Sequence, residues 1–111
     1  MENCIFCKIA KGEIPAEKTY EDEKVLAFLD INPKAPNHTL LIPKEHYVWF
    51  EEVPDNISDH LFRIAKQIAK DMKKDPAIGY VQLGIVGKDV PHAHIHLIPQ
   101  KGVTKASNLH L

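Results

Sequence analysis

The chain has 111 residues, 44% of them hydrophobic and 26% charged, with 14 Lys and Arg against 15 Asp and Glu for a formal net charge of -1. That is enough chain for one domain around a single core, hiding about two thirds of its unfolded surface. The composition excludes global disorder and a basic protein that coats nucleic acid, and no apolar run approaches the roughly 18 residues of a membrane span.

The opening Met1-Glu2-Asn3-Cys4 has neither the basic nor the apolar segment of a secretory leader. With two cysteines three apart, a reducing compartment is expected, hence a cytoplasmic protein. Residues 4–11 read as a short helix with Ile5, Phe6 and Ile9 inward, ended by Gly12. Tyr20 and residues 25–29 read as two short strands around Glu21-Asp22-Glu23-Lys24, a hairpin pattern. Residues 30–36 form a loop held by Pro33 and Pro36, and residues 38–43 an apolar strand. Pro54-Asp55-Asn56 opens a long helix whose apolar residues Ile57, Leu61, Ile64, Ala65, Ile68, Ala69 and Met72 recur at helical spacing, with Pro76 and Gly79 ending it. Lys66, Lys70, Lys73 and Lys74 lie off that stripe, as on a solvated face. Residues 80–86 and 92–98 read as the last strands, joined by Gly87-Lys88-Asp89-Val90-Pro91, and residues 101–111 as a tail. Strands, one helix, then strands make a single α+β domain over residues 1–111 with an antiparallel sheet.

Three of the seven histidines fall in His92-Ala93-His94-Ile95-His96. In a strand, alternate side chains share a face. The three rings therefore lie together, with Ala93, Ile95 and Leu97 turned to the core. Unpaired buried imidazoles are costly, so such a row points to chemistry. One reading is a catalytic metal held by histidines with a coordination position open for water. The other is a neutral imidazole acting as nucleophile on phosphorus while its neighbours handle phosphate and protons. His60 and His110 match no motif and read as surface residues. Cys4-Ile5-Phe6-Cys7 has the spacing of zinc sites and of redox pairs. A closed zinc site needs two further ligands, for which His46 and one member of the histidine row are candidates; two ordinary buried cysteines are the simpler alternative.

The segment Pro36-Asn37-His38-Thr39-Leu40-Leu41-Ile42-Pro43-Lys44-Glu45-His46, followed by His92-x-His94-x-His96-x-Ile98-Pro99, resembles the histidine triad (HIT) superfamily. Cys4-Ile5-Phe6-Cys7-Lys8-Ile9, Gly12-Glu13-Ile14-Pro15 and Leu26-Ala27-Phe28-Leu29-Asp30-Ile31-Asn32-Pro33 are similar to its Hint-like, protein-kinase-C-inhibitor branch, so the likeness runs over residues 4–99. It implies a five-stranded antiparallel sheet with one long and one short helix, and a homodimer joined through helix and edge strand into a continuous ten-stranded sheet. It implies a nucleotide phosphoramidase, a hydrolase or transferase acting at the α-phosphate of a purine nucleotide (AMP or GMP) conjugate. A dinucleoside polyphosphate hydrolase and a non-catalytic nucleotide-binding module are the neighbouring possibilities. Carried over by position, His94 is the nucleophile that forms a nucleotidyl-histidine, His96 binds the phosphate oxygens and His38 orients the triad. Ile5, Phe6, Ile9, Phe28, Leu29 and Ile31 border the base, and Asp30 accepts from the ribose hydroxyls. Cys4, Cys7, His46 and His92 form a structural zinc site. The family usually has N-x-G-x-x-A-G-Q-[ST]-V before the triad; here Leu83-Gly84-Ile85-Val86-Gly87-Lys88-Asp89-Val90 is shorter, with Lys88 in place of Gln and Asp89 in place of Ser or Thr beside the substrate.

Overall fold

The computed structural model describes residues 3–87 and 90–102. Its elements in chain order are α1 (Ile5–Ala10), β1 (Lys18–Glu21), β2 (Val25–Leu29), β3 (Thr39–Pro43), a 3-10 turn Phe50–Glu52, α2 (Asp55–Met72), β4 (Ile78–Gly84) and β5 (Ile95–Lys101). The five strands form one antiparallel sheet in the order β1-β2-β3-β5-β4. No helix among the described residues is long and apolar enough to cross a membrane.

The unbroken apolar runs of β2 and β3 follow from both faces of the sheet being covered. Val25, Ala27, Leu41, Ile95 and Leu97 pack with Leu61, Ile64 and Ala65 of α2. The alternate residues Leu26, Phe28, Leu40 and Ile42 pack with Cys4, Phe6, Cys7 and Ile9 around α1. Each such aliphatic side chain contributes about 1.5 to 3 kcal/mol by leaving water. The apolar stripe of α2 accounts for its docking, and its lysines lie exposed on the other side. The short α1 is capped by Cys4, whose Sγ accepts the Cys7 N–H at 3.4 Å, and Gly12 leaves it with a φ of 79° that glycine adopts without strain.

Four boundaries differ from the sequence-based expectation. Strand β5 starts at Ile95 and not at His92, because its pairing with β3 ends at Leu41–Ile95 and the Ala93 N–H instead meets the Tyr47 carbonyl at 2.6 Å. Strand β4 lies two residues earlier, Ile78–Gly84, since its ladder stops where Gly84 meets His96; Ile85 and Val86 are left exposed. Gly79 accordingly does not end α2, which stops at Met72, but sits inside β4. A Cβ there would collide with the Gly102 carbonyl, so the close pass of the two backbones requires glycine. Lys101 belongs to β5, paired with Ile78, and not to a tail; residues 103–111, including His110, lie outside the described residues. His60 is not a plain surface residue: its Nε2 meets Asp22 Oδ2 at 2.6 Å, tying α2 to the β1–β2 turn.

Candidate functional site

The face of the sheet that carries α1 also carries the histidines. Leu40 and His96 are register partners, and one pair further along, the Asp30 N–H donates to the His38 carbonyl at 2.9 Å. Asp30, His38 and His96 therefore stand side by side at one end of that face. His92 and His94 precede β5, yet the alternation persists into this extended segment. Ala93, Ile95 and Leu97 enter the α2 core, while the His94 ring lies 4.9 Å from His96 and 5.1 Å from Phe6 of α1, centroid to centroid. His38, His92 and His94 are buried and His96 is half-buried.

Backbone groups fix which nitrogen of each ring holds its proton. The Lys34 N–H donates to His38 Nδ1 at 3.1 Å, so the His38 proton is on Nε2. That Nε2 lies 3.0 Å from His96 Nδ1, which must accept, leaving the His96 proton on Nε2. His94 Nδ1 donates to the His92 carbonyl at 2.6 Å, leaving a lone pair on His94 Nε2. His92 Nε2 donates to the Pro43 carbonyl at 2.8 Å, leaving its Nδ1 lone pair free for other work. Burial lowers His38, His92 and His96 below the usual imidazole value. Neutral rings at neutral pH are what hydrogen-bond relays and metal ligands need.

Cys4, Cys7, His46 and His92 bring their ligand atoms within 4.8 Å of one another. His92 Nδ1 lies 3.3 Å from Cys4 Sγ and 3.5 Å from Cys7 Sγ, and His46 Nδ1 lies 3.2 Å from Cys7 Sγ. A tetrahedral zinc with bonds of about 2.3 Å to sulfur and 2.0 Å to nitrogen has S to N edges of about 3.5 Å. The spacing and the two-thiol, two-imidazole donor set thus fit a closed four-ligand metal site. The His92 hydrogen bond to Pro43 is the second contact that usually orients a metal-bound imidazole. Burial, with Cys4 beside it, pushes the Cys7 thiol up to about 11, so a thiolate there calls for a cation. Asp30, His38 and His96 also bring one ligand atom each within 4.8 Å of the others. There, however, His38 Nε2 holds a proton and His96 Nδ1 accepts it, so the two rings are a hydrogen-bonded pair with the Asp30 carboxylate 3.6 Å from His38 Nε2. The same assignment argues against His96 as an open-site metal ligand.

Around the rings, Phe6, Ile9 and Phe28 are buried together, with Phe6 edge-on to Phe28 at 5.5 Å and to His92 at 5.9 Å. Ile5 and Ile31 are exposed nearby in sequence, Ile31 at 85%. Leu29 departs from the expected group: pleating turns its side chain to the α2 face, where it lines a cavity of about 380 Å³ with Thr39, Ile64, Ile68 and Met72. Lys88 and Asp89 lie outside the described residues. The structure adds one participant, the Lys34 backbone N–H, for which no side-chain signal exists.

A family model described as HIT domain matches residues 11–103. A HIT-like protein of Methanocaldococcus jannaschii is 46% identical over 101 residues, covering 87% of this chain and 78% of its own. The adenosine 5'-monophosphoramidase of Saccharomyces cerevisiae is 44% identical over 99 residues, covering 88% of this chain and 63% of the yeast protein. Among solved structures, a HIT family protein from Bacillus anthracis superposes with a TM-score of 0.85 at 42% identity, over 91% of this chain and 75% of that one.

Proposed function

The chain belongs to the HIT domain family, and from that premise we propose that it hydrolyses purine nucleotide conjugates at the α-phosphate, as a nucleoside phosphoramidase working through a nucleotidyl-histidine. The observation that carries this reading is the His94 tautomer: Nδ1 is committed to the His92 carbonyl, and Nε2 keeps its lone pair. His94 Nε2 attacks the α-phosphorus, the bond to the leaving amine breaks, and the leaving nitrogen takes a proton from water as it departs. Water then cleaves the phosphorus–nitrogen bond to His94, releasing the nucleoside monophosphate and regenerating the ring. His96 Nε2–H donates to a phosphate oxygen, and His38 holds the His96 ring from behind. Phe6, Ile9 and Phe28 supply an apolar wall for the base, bordered by Ile5 and Ile31, and Asp30 accepts from the ribose hydroxyls. The yeast relative named as an adenosine 5'-monophosphoramidase supports the substrate class.

Zinc is the metal whose chemistry suits Cys4, Cys7, His46 and His92, and its part is structural: it ties α1 to the segment bearing His94. A homodimer is supported by β4 at the sheet edge, with Leu83, Ile85 and Val86 exposed there and Phe62 exposed on α2. The deciding experiment is intact-protein mass spectrometry after an acid-free quench with an adenosine 5'-phosphoramidate. A nucleotidyl adduct mapped to His94 is expected; turnover with no adduct, or an adduct on another residue, overturns the mechanism.

A further inference from the structure

The two faces of the sheet differ in how completely they are filled. On the face away from the histidines, a hollow of about 380 Å³ lies between α2 and the adjoining ends of β1, β2 and β3, within the size range of small-ligand cavities. Its floor is apolar. Leu29 lines it together with Ile64, Ile68 and Met72, which follow one another at four-residue spacing and so share one stripe of α2. The hollow lies beside a slip in the β1–β2 register between Lys18 and Tyr20, and a bulge of that kind bends the strand that carries it. One wall is made by Asn37 and Thr39, the residues on either side of His38 in the chain; alternation puts the His38 ring on the opposite face.

The charged groups and the buried hydroxyl around this hollow are acceptors. Thr39 is 3% exposed and donates its hydroxyl proton to the Asn37 carbonyl at 2.9 Å, so toward a ligand its oxygen accepts. Glu17 and Asp71 stand at the exposed rim. Asp71 meets Lys74 at 3.1 Å in an exposed pair, whereas Glu17 forms no ion pair among the described residues. No Lys, Arg or His is among the described residues that line the hollow. We propose that it is a second ligand site, separate from the nucleotide face, for a primary amine with an apolar body. The hydrocarbon lies on Leu29, Ile64, Ile68 and Met72, and the ammonium points to the rim at Glu17 and Asp71. A neutral ligand of the same shape gains the floor but not the rim, and an anion is opposed by both carboxylates. Because those carboxylates are exposed, charge adds a modest factor and the apolar floor supplies most of the affinity.

The test is a titration of isotope-labelled protein, with bound metal retained, followed by NMR of backbone amides and methyl groups. The probes are phenethylammonium, the neutral phenethyl alcohol and the anionic hydrocinnamate. Saturable shifts are expected from the ammonium at Leu29, Thr39, Ile64, Ile68 and Met72, and none at Ile9 on the other face. The alcohol is expected to bind at the same residues at least threefold more weakly, and the carboxylate at least tenfold more weakly. Glu17→Gln combined with Asp71→Asn changes two exposed side chains and should bring ammonium and alcohol to within twofold of each other. Ile68→Trp fills the floor and should abolish binding of both, with circular dichroism checking that the fold is kept. No saturable shift from the ammonium, or shifts centred on Ile9 and the histidines, overturns the proposal. So does equal affinity of the wild type for ammonium and alcohol. None of these outcomes depends on whether the chain turns over nucleotide conjugates.

Discussion

His38 and His96 meet nitrogen to nitrogen at 3.0 Å across the β3–β5 boundary, 58 positions apart in the chain. The bond has a direction because a backbone N–H, that of Lys34, occupies the far side of His38. A main-chain donor cannot titrate or rotate away, so the relay begins from a fixed point and ends at the His96 Nε2–H.

The nucleophile assignment leads to a kinetic expectation. His94→Gly should lower kcat by at least about a thousandfold while leaving nucleotide binding within about threefold, because the attacking nitrogen is lost and the slot formed by Phe6, Ile9 and Phe28 remains. Single-turnover kinetics with binding measured by calorimetry checks both parts. A loss below tenfold would remove His94 from the covalent step.

The metal cluster should behave as a stability element. Elemental analysis of protein purified without chelator is expected to give one zinc per chain. Cys4→Ser and Cys7→Ser should each lower the melting temperature and metal content together, because a four-ligand closed site loses affinity when one thiolate goes. Metal-free wild-type protein of undiminished melting temperature would contradict this.

The Asp22–His60 contact carries an expected pH dependence. Burial works against the Asp22 charge. It is outweighed by hydrogen bonds from His60, the Lys24 N–H, the Tyr20 hydroxyl and the Val25 N–H, which hold the carboxyl well below its usual range. A lowered folded value means stabilisation that is fully present above the unfolded value of about 3.8 and lost as pH falls toward the folded one. Asp22→Asn should therefore cost about 1 to 2 kcal/mol at pH 7. Its gap from wild type should narrow progressively as the pH is taken below about 4, as read by urea denaturation across pH.

The exposed edge of the sheet leads to an assembly expectation. Leu83→Glu combined with Ile85→Glu should convert the proposed dimer to a monomer in analytical ultracentrifugation with the circular dichroism spectrum unchanged, since both side chains are exposed on the single chain. An unaltered sedimentation coefficient would place the interface elsewhere.

What was legible in the sequence is what local periodicity encodes. The apolar spacing of residues 57–72 placed α2 and its buried Leu61, Ile64 and Ala65. The alternation through residues 92–97 correctly separated the rings from Ala93, Ile95 and Leu97. The same alternation overstated β5, because pleated side chains need only an extended backbone whereas a strand needs partners, and Ala93 bonds to Tyr47 instead. Leu29, placed beside the base by the family resemblance, instead lines the α2-side cavity with Thr39, Ile64 and Ile68, because adjacent strand residues face opposite ways. The His60–Asp22 contact and the Lys34 donor had no signature to read: the first joins residues 38 apart, and the second uses a backbone group that every non-proline residue has.

Helix α1 has six residues, too few to persist alone in water. With its N-cap Cys4 it nevertheless brings both cysteines to the candidate metal cluster, and it places Phe6 and Ile9 in the apolar cluster beside the histidines. Cys4 and its ring partner His92 are 88 positions apart. The seat of α1 is therefore closed at one end by a contact spanning a long loop, and weakening that contact at either cysteine should loosen the apolar cluster around Phe6 and Ile9 before it disturbs the sheet.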